Sequence, residues 1–271
     1  MTMRSIVCLF DGMDQEYSAL ETAIGMAVSA AAPLRIIHDR YPVVPAISAG
    51  GGEIYIGAEF LDAINRAREE MMQTARKSVV ELCQKHQLPL DGNNGALPRA
   101  TFGAMTPGAD LTRELSLCDI IVLGAEPNDD ALSRTPVETA LFHSGRPVLI
   151  VRPRSADAPA RLAGGGCAIA WNGTPEAIRA LVNALPLIED AATVSLLVTD
   201  DTHAEEPARS RVAASEYLAS HGIAAKLELV ERRGRSAAEA ILDRARDLRC
   251  DVIVMGAYGH SVFRESILGG F

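Results

Sequence analysis

The segment Gly256-Ala-Tyr-Gly-His-Ser-Val-Phe-Arg-Glu-Ser-Ile-Leu-Gly-Gly directly follows a strongly apolar run, Cys250-Asp-Val-Ile-Val-Met. Glycines at the carboxyl end of such a strand let backbone N–H groups gather around an anion without Cβ interference. A helix beginning near Gly270 would add its dipole at the same place, so the segment suits a polyphosphate. His260 and Ser261 are adjacent in sequence, and adjacent residues rarely face each other usefully as base and nucleophile; no acid is placed to orient the histidine. A hydrogen bond from His260 to phosphate fits better than catalysis, and no catalytic residue is assigned. Arg264 and Glu265 lie in the same loop and could reach phosphate or solvent, with solvent favoured. No GxxxxGK[ST] lysine accompanies the glycines, which disfavours a phosphoryl-transfer enzyme.

The elements that would position this segment occur twice. Ser5-Ile-Val-Cys-Leu-Phe-Asp-Gly-Met leads into a helical run from Tyr17, and Gly166-Cys-Ala-Ile-Ala-Trp-Asn-Gly-Thr leads into another from Pro175. Thr174 can cap that second helix, and Pro175 suits its first position. Leu117-Cys-Asp-Ile-Ile-Val-Leu-Gly-Ala returns as Arg249-Cys-Asp-Val-Ile-Val-Met-Gly-Ala, which fixes the register of the duplication. Further strand-like runs (34–38 and 193–199; 97–102 and 226–230) alternate with helical ones (58–85 and 208–220; 109–116 and 237–248). Near-continuous apolar strands alternating with helices imply parallel sheets covered on both faces. Two domains are expected, 1–153 and 166–271, joined by a Pro-, Ala- and Gly-rich linker at 154–165. The first half continues past Gly124 into a helix and the strand Val148-Leu-Ile-Val, for which the second half shows no counterpart before Phe271. The stretch 41–53 is an insertion confined to the first half.

In the first half the loop Gly124-Ala-Glu-Pro-Asn-Asp-Asp-Ala-Leu-Ser-Arg-Thr-Pro has lost the later glycines and gained Glu126, Asp129 and Asp130. Three carboxylates repel phosphates, so no nucleotide is expected there; they read as a solvated acidic turn, and no metal site is assigned. Over the whole chain, 26 Lys+Arg stand against 35 Asp+Glu, a formal charge of −9. That balance disfavours nucleic acid and anionic membrane surfaces as partners. No apolar run is long enough to span a membrane, and no secretory leader is apparent, so a cytoplasmic protein is expected. Five scattered cysteines, Cys8, Cys83, Cys118, Cys167 and Cys250, form neither a disulfide framework nor a metal motif and read as reduced core thiols.

The spacing Gly256, Gly259, Gly269 is G-x2-G-x9-G, and together with the Asp11-Gly12 and Asn172-Gly173 turns and the paired Cys-Asp segments the chain resembles the universal stress protein family, in tandem. The resemblance implies two doubly wound, Rossmann-like domains of the adenine nucleotide alpha hydrolase type. It also implies an adenine nucleotide, ATP with or without Mg²⁺, in the second domain, with little or no turnover. By that resemblance Asn172 lies near base and ribose, Val198 and Thr199 meet the adenine, and Gly256, Gly259, His260, Gly269 and Gly270 surround the phosphates. Two positions depart from the family pattern: Asn172 stands where Asp is usual, keeping a donor and an acceptor but losing the charge, and Gly270 stands where Ser or Thr is usual. Trp171 is read either as a wall of the base pocket or as a packed core indole. The last strand of the first half is expected to support pairing of the two domains within one chain, or of two chains in a homodimer. The alternative function is a nucleotide-independent interaction or dimerisation module.

Overall fold

A computed structural model describes residues 3–38, 58–92, 95–105, 110–125, 131–153, 164–199 and 205–257. In the first half, β1 (Ile6–Leu9) runs through a short 3-10 turn (Asp14–Glu16) into α1 (Tyr17–Ala30). Then come β2 (Pro33–His38), α2 (Ala58–Lys85), β3 (Arg99–Ala104), α3 (Leu111–Ser116), β4 (Ile120–Gly124), α4 (Ala131–Phe142) and β5 (Val148–Val151). The second half repeats the order as β6 (Gly166–Ala170), α5 (Pro175–Ile188), β7 (Thr193–Thr199), α6 (Glu205–Ser220), β8 (Ala225–Val230), α7 (Ala237–Asp247) and β9 (Cys250–Val254).

Two parallel sheets result, with strand orders β3-β2-β1-β4-β5 and β8-β7-β6-β9. Both are doubly wound: the order reverses between β1 and β4, and again between β6 and β9, which opens a crevice at the carboxyl ends of those strands. Contact density divides the chain into two units, residues 3–125 with 148–153, and residues 126–147 with 154–271. Helix α4 is therefore grouped with the second sheet, while its flanking strands β4 and β5 pair with each other in the first.

The central strands match the expected apolar runs, since every residue of β1 and of β4 is buried. The edge strands do not. In β3 only Ala100 and in β8 only Val230 is fully buried, and Leu229 on β8 is 62% exposed. An edge strand has a neighbour on one side only, so its helix covers it incompletely, and the expectation of near-continuous burial holds only in the sheet interior. Strand β3 also starts later than expected, at Arg99, because Pro98 has no N–H to offer the ladder. The second sheet shows the two-sided core expected of a parallel sheet: Cys167, Ile169, Leu196 and Val198 pack with α5 and α6, whereas Ala168, Leu197 and Val230 pack with α7.

The duplicated Cys-Asp pairs have a structural reason. Asp119 Oδ2 accepts hydrogen bonds from the Arg4 and Ser5 N–H groups (2.6 and 3.0 Å), and Asp251 Oδ2 accepts one from the Gly166 N–H (3.1 Å). In each half an aspartate at the start of the fourth strand, Asp119 just before β4 and Asp251 as the second residue of β9, fastens the start of the first. The first strands end alike too, with Phe10 N–H donating to Ile37 O (3.0 Å) and Trp171 N–H to Leu197 O (2.9 Å). All five cysteines are free, four of them buried and Cys250 partly so. Among the described residues no helix is long and apolar enough to cross a membrane, and no group of three or more His, Cys, Asp or Glu could hold a metal ion.

Candidate functional site

The crevice of the second sheet is bordered by the turn Asn172-Gly173-Thr174 after β6, the end of β7, and Gly256 just past β9. Gly173 takes φ +74°, a left-handed conformation that glycine adopts without strain. Asn172 Oδ1 accepts from the Thr174 N–H (3.2 Å) and from its hydroxyl (2.8 Å), and Thr174 Oγ1 accepts from the Ala177 N–H (3.3 Å) as the cap of α5. The asparagine oxygen thus braces the turn, leaving its amide nitrogen as the group able to meet a ligand. Asn172 is exposed.

Val198 and Thr199 are buried at the end of β7, with Val198 inside the core. Val198 can offer a ligand backbone rather than a side-chain face. Trp171 is a core indole: it packs in the same cluster and its Nε1–H donates to Ser210 Oγ of α6 (3.2 Å). That favours packing over the wall of a base pocket. Gly256 has an additional constraint. A Cβ there would meet the Glu176 backbone carbon and Cβ at 2.8 Å and Ala177 N at 2.9 Å, so the glycine first of all lets the strand end approach the start of α5. Gly124 plays the same part against Glu16 in the first half, with contacts of 3.1 Å. Asn172, Val198, Thr199 and Gly256 therefore border one crevice; Gly259, His260, Gly269 and Gly270 lie outside the described residues.

The first half's crevice is furnished differently. Glu16 is buried, and its Oε2 accepts from the Asp11 N–H (2.8 Å) and the Met13 N–H (3.2 Å) across Gly12, which has φ +88°. His38, at the end of β2, is 1% exposed; its Nδ1 lies 3.3 Å from Asp11 Oδ1, and neither ring nitrogen attains hydrogen-bond geometry. Beneath them the Cys8 thiol is pushed far above its ordinary range by burial, and further by the carboxylates of Glu16 and Asp11. Neither Glu16 nor His38 stands out in the sequence. The signal for Glu16 was available: with the two turns matched position for position, Glu16 falls opposite Ala177. The acidic residues Glu126, Asp129 and Asp130 lie outside the described residues.

Residues 169–271 match the model of the universal stress protein family. No curated protein matches the chain. Among solved structures, a universal stress protein from Archaeoglobus fulgidus DSM 4304 is similar over 94% of this chain and 87% of its own, with a TM-score of 0.63 and 13% identity, which is a likeness of fold. A universal stress protein in complex with cAMP is 17% identical, over 57% of this chain and 100% of its own, with a TM-score of 0.35. The universal stress protein of Lactobacillus plantarum is 14% identical, over 56% and 99%, with a TM-score of 0.38.

Proposed function

We propose, from the match of residues 169–271 to the universal stress protein family model, that the second half of this chain binds ATP or a related adenine nucleotide, with little or no turnover, while the first half binds none. The observation that carries the proposal is the glycine spacing Gly256, Gly259, Gly269, which falls inside the family match and has no equivalent in the first half. The residues at the crevice suit such a ligand. The Asn172 amide nitrogen can donate to a ribose or base acceptor, the end of β7 presents a backbone edge, and the chain beyond Gly256 supplies glycine amides for phosphates. Bound Mg²⁺ would neutralise phosphate charge. Domain boundaries at 154–165 and a cytoplasmic setting belong to the same reading.

The test is calorimetric titration of ATP with Mg²⁺ into the whole chain and into Gly259→Asp. One ATP per chain, lost in the variant, is the expected result. No binding to the unmodified chain overturns the nucleotide reading in favour of a nucleotide-independent interaction module.

A further inference from the structure

The edge strands β3 and β8 hold equivalent places in the two sheets but are finished differently. In the first half the connection from α2 to β3 (residues 86–98) lays Leu90 alongside β3, where it forms a parallel bridge with Ala100. The Ala100 N–H donates to Pro89 O (2.7 Å), the Asp91 N–H to Ala100 O (2.9 Å), and the Phe102 N–H to Asp91 Oδ1 (3.1 Å). Arg76 of α2 donates to the other oxygen of Asp91 (2.8 Å) and lies 6.0 Å from the centre of the Phe102 ring. In the second half the connection from α6 to β8 spans only residues 221–224, and its N–H groups turn back onto the helix, Gly222 to Ala219 O (2.9 Å) and Ile223 to Leu218 O (3.0 Å). Ile37 and Leu197, which accept the matching bonds at the ends of the first strands, stand beside Gly103 and Glu228, so Ala100 and Phe102 correspond to Ala225 and Leu227. Among the described residues nothing bonds the outer edge of β8. Leu227 and Leu229, alternate residues on one face of that strand, are 41% and 62% exposed. An open strand edge that carries exposed leucines is a template for pairing with another strand.

We propose that β8 pairs antiparallel with β8 of a second copy of this chain, about a two-fold axis through Leu227. Ala100 and Phe102 turn their N–H groups outward, so Ala225, Leu227 and Leu229 do the same in β8. Antiparallel strands exchange both hydrogen bonds between residues whose backbone groups face each other. Leu227 therefore stands opposite Leu227 of the partner subunit, and Ala225 opposite the partner's Leu229. Charge selects this register. A two-fold through Lys226 sets lysine against lysine, and one through Glu228 sets glutamate against glutamate, both unfavourable. With the axis at Leu227, Lys226 faces Glu228 of the partner subunit in a close pair, opposite charges in contact. Lys226 Nζ already lies 2.6 Å from its own Glu228 and is largely exposed, so it needs little movement to serve both carboxylates. The leucines of the two copies form one apolar stripe on the face where Ala225 meets the core, and the small Ala225 leaves room for the larger Leu229 across from it. Strand β3 is barred from such pairing because residues 89–91 occupy its edge. The surface is distinct from the β5 pairing expected from the sequence, and it does not depend on the nucleotide reading.

Sedimentation velocity of the full chain over a range of concentrations measures the association. The unmodified protein is expected to form a dimer that Leu229→Lys weakens roughly tenfold or more, because the two-fold brings two charges into each apolar interface. Leu229 is mostly exposed in the single chain, so the substitution leaves the fold intact, which circular dichroism checks. Mild oxidation reads the register. Copies of Leu227→Cys stand about 5.5 Å apart between α-carbons, within disulfide reach, whereas copies of Leu229→Cys stand more than about 13 Å apart. A disulfide between copies through position 227 and none through position 229 is the expected result, seen by non-reducing electrophoresis and peptide mass spectrometry. A dimer indifferent to Leu229→Lys, or linked equally well at both positions, overturns the proposal. So does a chain that is monomeric at every concentration, which leaves the β8 edge to an extended segment of another protein. Should Leu229→Lys fail to fold, the two cysteine variants decide alone.

Discussion

A methyl group at position 256 would sit 2.8 Å from the backbone of Glu176, closer than packed carbon atoms come, and the atoms it meets cannot rotate away. Gly256→Ala is therefore expected to lower stability by about 1–3 kcal/mol, the usual range for forced overpacking. Gly124→Ala, whose nearest contacts are 3.1 Å and include the Glu16 side chain, costs less. Urea denaturation of the two variants beside the parent measures both. The order matters for function, because weakened nucleotide binding in Gly256→Ala would report a displaced α5 as readily as a lost phosphate contact, and Gly259→Asp is the cleaner probe. The thiols give a second prediction at this scale. Burial, with a further contribution from Cys250, pushes Cys167 to about 12, and burial with Asp91 pushes Cys83 to about 11. Cys250 is raised as well, by burial first and then by Asp251, yet it is the least covered of the five. An alkylating reagent at mildly alkaline pH should label Cys250 first in the native chain and all five only after unfolding, as read by mass spectrometry. At this scale the sequence exposed the glycines but could not say that Gly256 answers to helix packing, since spacing carries no information about what faces a missing side chain.

Helices α1 and α2 are joined at their surface by Glu21, whose Oε1 accepts from Lys85 Nζ (2.6 Å) and lies 3.0 Å from His86 Nε2. The bonds to Lys85 and then His86 hold the Glu21 carboxyl below its ordinary value of 4.5. A depressed carboxyl contributes stability that is complete above the unfolded-state value and disappears as pH falls through the lower folded-state value. Glu21→Gln should thus be less stable than the parent at neutral pH by a modest, salt-sensitive margin, and the two unfolding curves should converge well below pH 4.5. A margin unchanged into that acid range would mean that the clamp works through packing rather than charge. The elements themselves are readable because each half repeats the other: matching Leu117–Ala125 to Arg249–Ala257 fixes the register of the duplication from the sequence alone. Their edges were less readable. Whether β3 and β8 are covered depends on neighbours two strands away in the sheet and far off in the chain, and the grouping of α4 with residues 154–271 is likewise long-range and leaves no local trace.

Over the whole molecule the formal charge is −9, but solubility and partner choice depend on where the cations are as well as on the sum. The densest basic stretch, Arg232-Arg233-Gly234-Arg235, is a tight turn between β8 and α7, closed by the Arg235 N–H donating to Arg232 O (2.9 Å). Its charges are answered locally. Arg233 pairs with Glu231 and Arg235 with Asp243, while Asp243 also takes Arg246. Arg244 and Lys226 are both spent on Glu228, whose carboxyl they hold below the ordinary range. A cation already paired with a carboxylate has little attraction left for a polyanion, and the surrounding negative field opposes approach at longer range. The chain should therefore pass through heparin or DNA-cellulose unretained at low salt, and added salt should not change its elution. Retention at low salt that is lost steeply as salt rises would reveal a cationic face made by residues outside the described set, and would reopen nucleic acid as a partner. The proposed nucleotide site in the second half is compatible with either result, because it would draw on backbone amides at the end of a strand, which attract a bound phosphate over a few ångströms whatever the net charge of the molecule.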